Sequence, residues 1–300
     1  MESIFAEKKS LQAQLVQNFF DNIDANRDEP LDSNHETWAV WTDETYQQVV
    51  ELAERFMNDY PNSYFVGLGD SPSYTVHAIK LLAEKQNLNV QTRHIAHSSG
   101  HLFRLITSNP SENLYFNRFP EEWPLNLDKY QDYLTAHELH PEKIMTRYNN
   151  KGTKTIVMDY FEKGKSLASF FHLMYEWARE CGIRDKDFSR AMMPVAMSHQ
   201  NIQSLTIKYQ DDPLQVKMAL VPVSRKLNLT LSSMESDVNR FVPSYSMFDW
   251  DKPPVDPIHN IARVLEIKQG LQKTVDAYPV RQKQMLSSYN PLARLKRVFV

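Results

Sequence analysis

Three hundred residues, 42% apolar and 24% charged, suffice for one large packed domain, and a net charge of −3 supplies no global field to draw in nucleic acid or anionic lipid. The lone Cys181 excludes an internal disulfide or a cysteine-rich metal site, and no stretch approaches the ~18 apolar residues of a membrane span. The opening residues lack the apolar run of a secretory signal, so the expectation is a cytoplasmic chain whose partners include neither nucleic acid nor membrane.

In chain order, Ile4, Leu11, Leu15, Phe19 and Ile23 recur at helical spacing and predict an amphipathic helix, followed by a polar loop over 24–36. A second helix starts near Thr42, with Asp43 and Glu44 suited to its first turn. Tyr46, Val49, Val50, Ala53, Phe56 and Met57 form its apolar stripe, and Pro61 ends it. A short apolar strand at 64–66 runs into Gly67-Leu68-Gly69-Asp70-Ser71-Pro72, where Ser71 fits a helix cap and Pro72 the first helical position. That helix continues through Val76, Ile79, Leu82 and Ala83, and a second strand follows at 89–94. Residues 98–150, polar and aromatic with four prolines, read as an insertion with one or two short helices.

A third strand at 155–159 leads through a loop over 160–165 to a helix that Ser166 can cap. Leu167, Phe170, Phe171, Met174 and Ala178 form its apolar face, and Gly182 is its stop. Further strands are expected at 191–197, 205–209, 216–221 and 227–231, and Asp256-Pro257 opens a long final helix through Ile261, Leu265, Leu271 and Val275. Strands alternating with helices predict an α/β domain with a mainly parallel sheet flanked by helices, over 42–250 with the insertion at 98–150. Residues 1–41 read as an N-terminal helical extension and 251–300 as a C-terminal helical segment.

Glycine is scarce, seven in 300, so each one carries information. Two lie in strand–turn–helix units. In an open α/β sheet such turns lie at the carboxyl ends of strands, where ligands bind, and a helix N-terminus offers free N–H groups to an anion. Two such turns side by side would grip two ends of one phosphorylated ligand.

The turn Met158-Asp159-Tyr160-Phe161-Glu162-Lys163-Gly164-Lys165-Ser166 resembles the phosphoribosyl pyrophosphate loop of type I phosphoribosyltransferases. The resemblance covers about 43–197 and implies a phosphoribosyltransferase-like fold. It implies that Asp159 contacts ribose hydroxyls while Lys163, Gly164, Lys165 and Ser166 hold a 5′-phosphate. Gly67, Gly69, Asp70 and Ser71 fall where that family has its pyrophosphate-binding loop. The implied activity is transfer of a phosphoribosyl group to a nitrogenous acceptor, with Mg²⁺ bridging the phosphates. The chain departs from the pattern: Met158 stands in place of the first acid, Glu162-Lys163 replaces small residues, and Asp70 repels pyrophosphate unless it caps the helix or meets a bridging metal.

Those departures motivate a second reading, a catalytically lapsed relative acting as a binding, regulatory or effector module with residues 98–150 as a protein-partner surface. A third reading, an S-adenosylmethionine-dependent methyltransferase, rests on Gly67-Leu68-Gly69 after a strand, but the 89–94 strand ends in histidine rather than the acid needed for ribose. His94, His97 and His101 read as polar loop histidines, because Ser98, Ser99 and Gly100 argue against a metal-binding helix. His97, Arg104 or Arg118 stand after the second strand, where the family keeps a mobile catalytic loop. Cys181, Trp123, Trp177 and Trp250 read as packing residues, and Arg240 as a surface salt-bridge partner.

Overall fold

The computed structural model describes residues 41–69, 71–95, 97, 103–109, 113–118, 127–161, 164–199, 204–232 and 261–279. The amphipathic helix expected over Ile4–Ile23, Asp256-Pro257, Trp123, Arg240 and Trp250 lie outside them. The described residues hold eight helices and eight strands, in chain order α1 (Asp43–Asp59), β1 (Ser63–Leu68), α2 (Ser73–Lys85), β2 (Gln91–Ile95), β3 (Phe103–Asn109), β4 (Asn113–Arg118), α3 (Leu127–Ala136), α4 (Pro141–Lys151), β5 (Lys154–Tyr160), α5 (Lys165–Glu180), α6 (Asp185–Ala191), β6 (Met192–Ser198), β7 (Ser204–Tyr209), β8 (Gln215–Pro222), α7 (Arg225–Ser232) and α8 (Ile261–Ala277).

The strands form one eight-stranded sheet in the order β2-β1-β5-β6-β8-β7-β4-β3. From β2 to β8 the strands run parallel. β7 pairs antiparallel with β8, β4 parallel with β7, and β3 antiparallel with β4. The chain is therefore α/β with a mostly parallel mixed sheet flanked by helices. Among the described residues no helix is long and apolar enough to cross a membrane.

Alternation along the central strands sorts side chains between two cores. On one face Tyr64, Val66, Leu68 and Val157 pack with α3, α4, α5 and α6. On the other, Phe65, Ile156, Met158 and Tyr160 pack with α1, α2, α7 and α8. α5 is apolar on nearly every side, with Leu167, Ala168, Phe170, Phe171, Met174, Tyr175, Trp177 and Ala178 all buried. The second half of the sheet also meets it: the Tyr209 hydroxyl of β7 donates to the Ala168 carbonyl at 2.7 Å. At about 1.5–3 kcal/mol per buried large side chain, this helix is a principal source of stability.

The segment 98–150 is part of this core, because Leu114, Phe116, Tyr130, Leu134, Leu139 and Ile144 are buried in it. It supplies strands β3 and β4 as well as two helices, and the strands were not foreseen. Residues 227–231, expected as a strand, form α7 instead. Ser224 caps that helix, its hydroxyl accepting from the Leu227 amide at 3.0 Å, and Leu227 and Leu231 share one buried face at helical spacing. The short α6 was also unforeseen. α2 starts one residue later than expected, with Pro72 in the cap position and Ser73 first in the helix.

Candidate functional site

β1 and β5 are parallel neighbours, with Gly67 opposite Met158 in the register. The turns that follow them, one leading to α2 and one to α5, therefore emerge side by side at the carboxyl edge of the sheet. Asp70 and Lys163, with Glu162, lie outside the described residues. The remaining named positions are in the two turns, and their surroundings differ.

The first turn is closed. A Cβ at Gly67 would lie 3.1 Å from Val76 Cγ2 and 3.4 Å from Pro72 Cγ and His94 Nδ1, so the missing side chain lets α2 approach β1. Gly69 has φ +74, donates its N–H to the Ile95 carbonyl at 2.9 Å and accepts from the Ser73 hydroxyl at 3.1 Å. Ser71, Ser73, Tyr74 and Thr75 are buried. The Trp41 ring lies 5.1 Å from that of Tyr74, and the Thr75 hydroxyl meets Met197 Sδ at 3.8 Å. Here glycine and serine serve packing first.

The second turn is more open. Gly164 holds the cap position of α5 at φ +67, a left-handed conformation that disfavours any Cβ. This corrects the expectation that Ser166 caps: Ser166 is the second helical residue. The amides of Lys165, Ser166 and Leu167 precede the first intrahelical bond, from Ala168 N–H to the Gly164 carbonyl at 2.9 Å, and glycine in the cap position has no side chain to accept from them. Lys165 and Ser166 are half-buried, so this end of the helix is reachable from solvent. Asp159 is 8% exposed near the end of β5, on the α5 side of the sheet, and its Oδ1 accepts from the Tyr160 amide at 2.7 Å. Met158 and Tyr160 point to the opposite core. Burial there pushes the Tyr160 phenol well above its ordinary range, and its hydroxyl has no partner among the described residues.

Next to this turn stands a group of residues that sequence reasoning did not join. His97, just past β2, is 7% exposed, which corrects its reading as a polar loop residue. Its Nδ1 lies 2.7 Å from the Tyr130 hydroxyl of α3, and its Nε2 lies 3.2 Å from Ser169 Oγ of α5. Ser169 donates its proton to the Ser166 carbonyl at 2.9 Å. The hydroxyl must then accept from Nε2–H, which leaves Nδ1 to accept from Tyr130. Burial pushes the His97 pKa down to about 3, with the Ser166 carbonyl opposing, so the ring is neutral. The partners are 33 and 72 positions away, and no local pattern announces them.

The other histidine, His94, lies on β2 facing Gly67, and burial beside His77 pushes its pKa to about 3. Arg104 and Arg118 lie on β3 and β4, toward the opposite margin of the sheet. Cys181 is a half-buried free thiol at the end of α5, raised by burial. At that end of the helix Arg179 pairs with Asp185 and Asp212 at 2.7 and 2.8 Å, and its guanidinium lowers the Asp212 pKa. Among the described residues no group of three His, Cys, Asp or Glu is placed to hold a metal ion.

No protein-family model, no curated protein and no solved structure matches the chain.

Proposed function

We propose that the chain binds a phosphorylated ribose ligand at the carboxyl edge between β1 and β5, as a phosphoribosyltransferase-like protein. The phosphate sits on the first-turn amides of α5, where the helix dipole favours an anion. The Asp159 carboxylate accepts from the ribose hydroxyls. Lys165 adds positive charge, and the Gly67–Ser71 turn borders the other end of the ligand. A Mg²⁺ ion would ride on the ligand's own phosphates, with Asp159 offering a carboxylate oxygen. The observation that carries this reading is the pairing of β1 with β5, which puts the two turns next to each other.

Isothermal titration with phosphoribosyl pyrophosphate and Mg²⁺ tests it. Binding is expected in the wild type, and Asp159→Asn should weaken it about tenfold, as for loss of a charge-assisted hydrogen bond. Absence of heat in the wild type ends the reading.

A specific observation favours the version without turnover. Met158, where the resembled family has an acid, is fully buried in the α1–α2 core. That position therefore offers the ribose no carboxylate. On this version the ligand binds, yet no pyrophosphate is released with any nitrogenous acceptor. The methyltransferase reading gains nothing, since β2 reads Gln-Thr-Arg-His-Ile and carries no acid.

A further inference from the structure

We infer that His97 is a positioning residue for this site: its imidazole is a strut that joins Tyr130 of α3 to Ser169 of α5 and so sets the first turn of α5 against the ligand. The inference rests on the ligand reading above and extends it to a residue outside both turns.

The covalent path sets where His97 lies. β2 and β3 occupy opposite margins of the sheet, yet only residues 96–102 separate them. His97 is the described residue of that connection, and it docks on α5 rather than on its own strand. Its ring packs edge-on against Phe170, centroids 5.3 Å apart, so the imidazole is held by contact as well as by both nitrogens. The hydrogen bonds run in one direction: Tyr130 to Nδ1, Nε2 to Ser169, and Ser169 to the Ser166 carbonyl. Hydrogen bonds in series polarise one another, so a change in one member is felt by the next. The last member is the backbone of Ser166, whose own amide belongs to the proposed phosphate cradle. A neutral ring suits the task, since a charged one would hold this geometry only with an acid beside it.

The test measures ribose 5-phosphate affinity calorimetrically and follows the ¹⁵N resonances of Lys165 and Ser166 during the same titration, in the full chain. In the wild type the ligand should move both amide signals. His97→Leu, which removes both nitrogens, should weaken affinity about tenfold, roughly one displaced charge-assisted hydrogen bond. His97→Gln, which restores an N–H toward Ser169, should recover most of that loss. Tyr130→Phe removes only the far hydroxyl and should fall between, and it decides the matter where His97→Leu does not fold. Wild-type affinity in His97→Leu and Tyr130→Phe overturns the strut while leaving the ligand site standing. So does a His97→Gln variant no better than His97→Leu, because that marks a general loss of packing. A wild type blind to ribose 5-phosphate removes the site itself, and the strut with it.

Discussion

The turns after β1 and β5 begin from nearly the same local sequence: an apolar strand, glycine, a hydroxyl residue and a helix. They end in different states. After β1, Ser71 through Thr75 are buried, and the glycine serves close packing of α2 on the strand. After β5, Gly164 takes a left-handed cap with no side chain to cover the helix end, and Lys165 and Ser166 stay half-buried. The same strand–turn–helix grammar thus produces one sealed end and one open end. A helix N-terminus becomes a binding site only where neighbouring elements leave it uncovered. For α2 the cover includes Trp41 against Tyr74 and Met197 against Thr75.

The largest expected effect separates the two glycines. Gly164→Val should destabilise by about 3 kcal/mol, adding left-handed strain to a Cβ only 3.0 Å from the Phe161 ring and 3.2 Å from Leu114. Chemical denaturation measures it, and a loss below about 1 kcal/mol would mean that the open turn is as adaptable as the closed one.

Next is acid. His97 is neutral when folded, with a pKa of about 3, and ordinary when unfolded, near 6.5. The unfolded chain therefore binds more protons below that value, and stability falls as pH drops through it. The loss is about 2 kcal/mol at pH 5 relative to pH 7.5. His97→Gln should remove that share of the fall in urea unfolding at the two pH values while His94 keeps its own, and an unchanged slope would show that the strut is not buried.

Gly67→Ala should cost less, about 1 kcal/mol, because its φ suits any residue and only Val76, Pro72 and His94 must give way. A loss as large as that of Gly164→Val would erase the contrast between the turns. The smallest effect is expected at Tyr160→Phe. Removing a buried hydroxyl without a partner among the described residues should leave stability unchanged or raise it by up to about 1 kcal/mol. A clear drop in its thermal midpoint would reveal a hydrogen bond.

Much of the fold was legible before any coordinates. The apolar stripe of α1, the strands at 64–66 and 155–159, and the stop at Gly182 follow from periodicity and punctuation. α7 was misread because Leu227, Leu229 and Leu231 fit a strand's period of two. Ser224 four residues before Asn228, a cap at helical distance, was the overlooked signal. β3 and β4 were hidden by their polarity, since strands toward a sheet margin need only one apolar face. At the site, Asp159 and Gly164 could be named from the sequence, whereas His97 could be named but not placed.

Local chemistry determined the elements, the alternation that divides side chains between two cores, and the glycine needed where α5 begins, because all of these depend on residues within a few positions of one another. Strand order, the burial of α5 and the meeting of His97 with Tyr130 and Ser169 were decided by packing alone. They join residues tens of positions apart, and no spacing in the chain encodes which buried surfaces will meet.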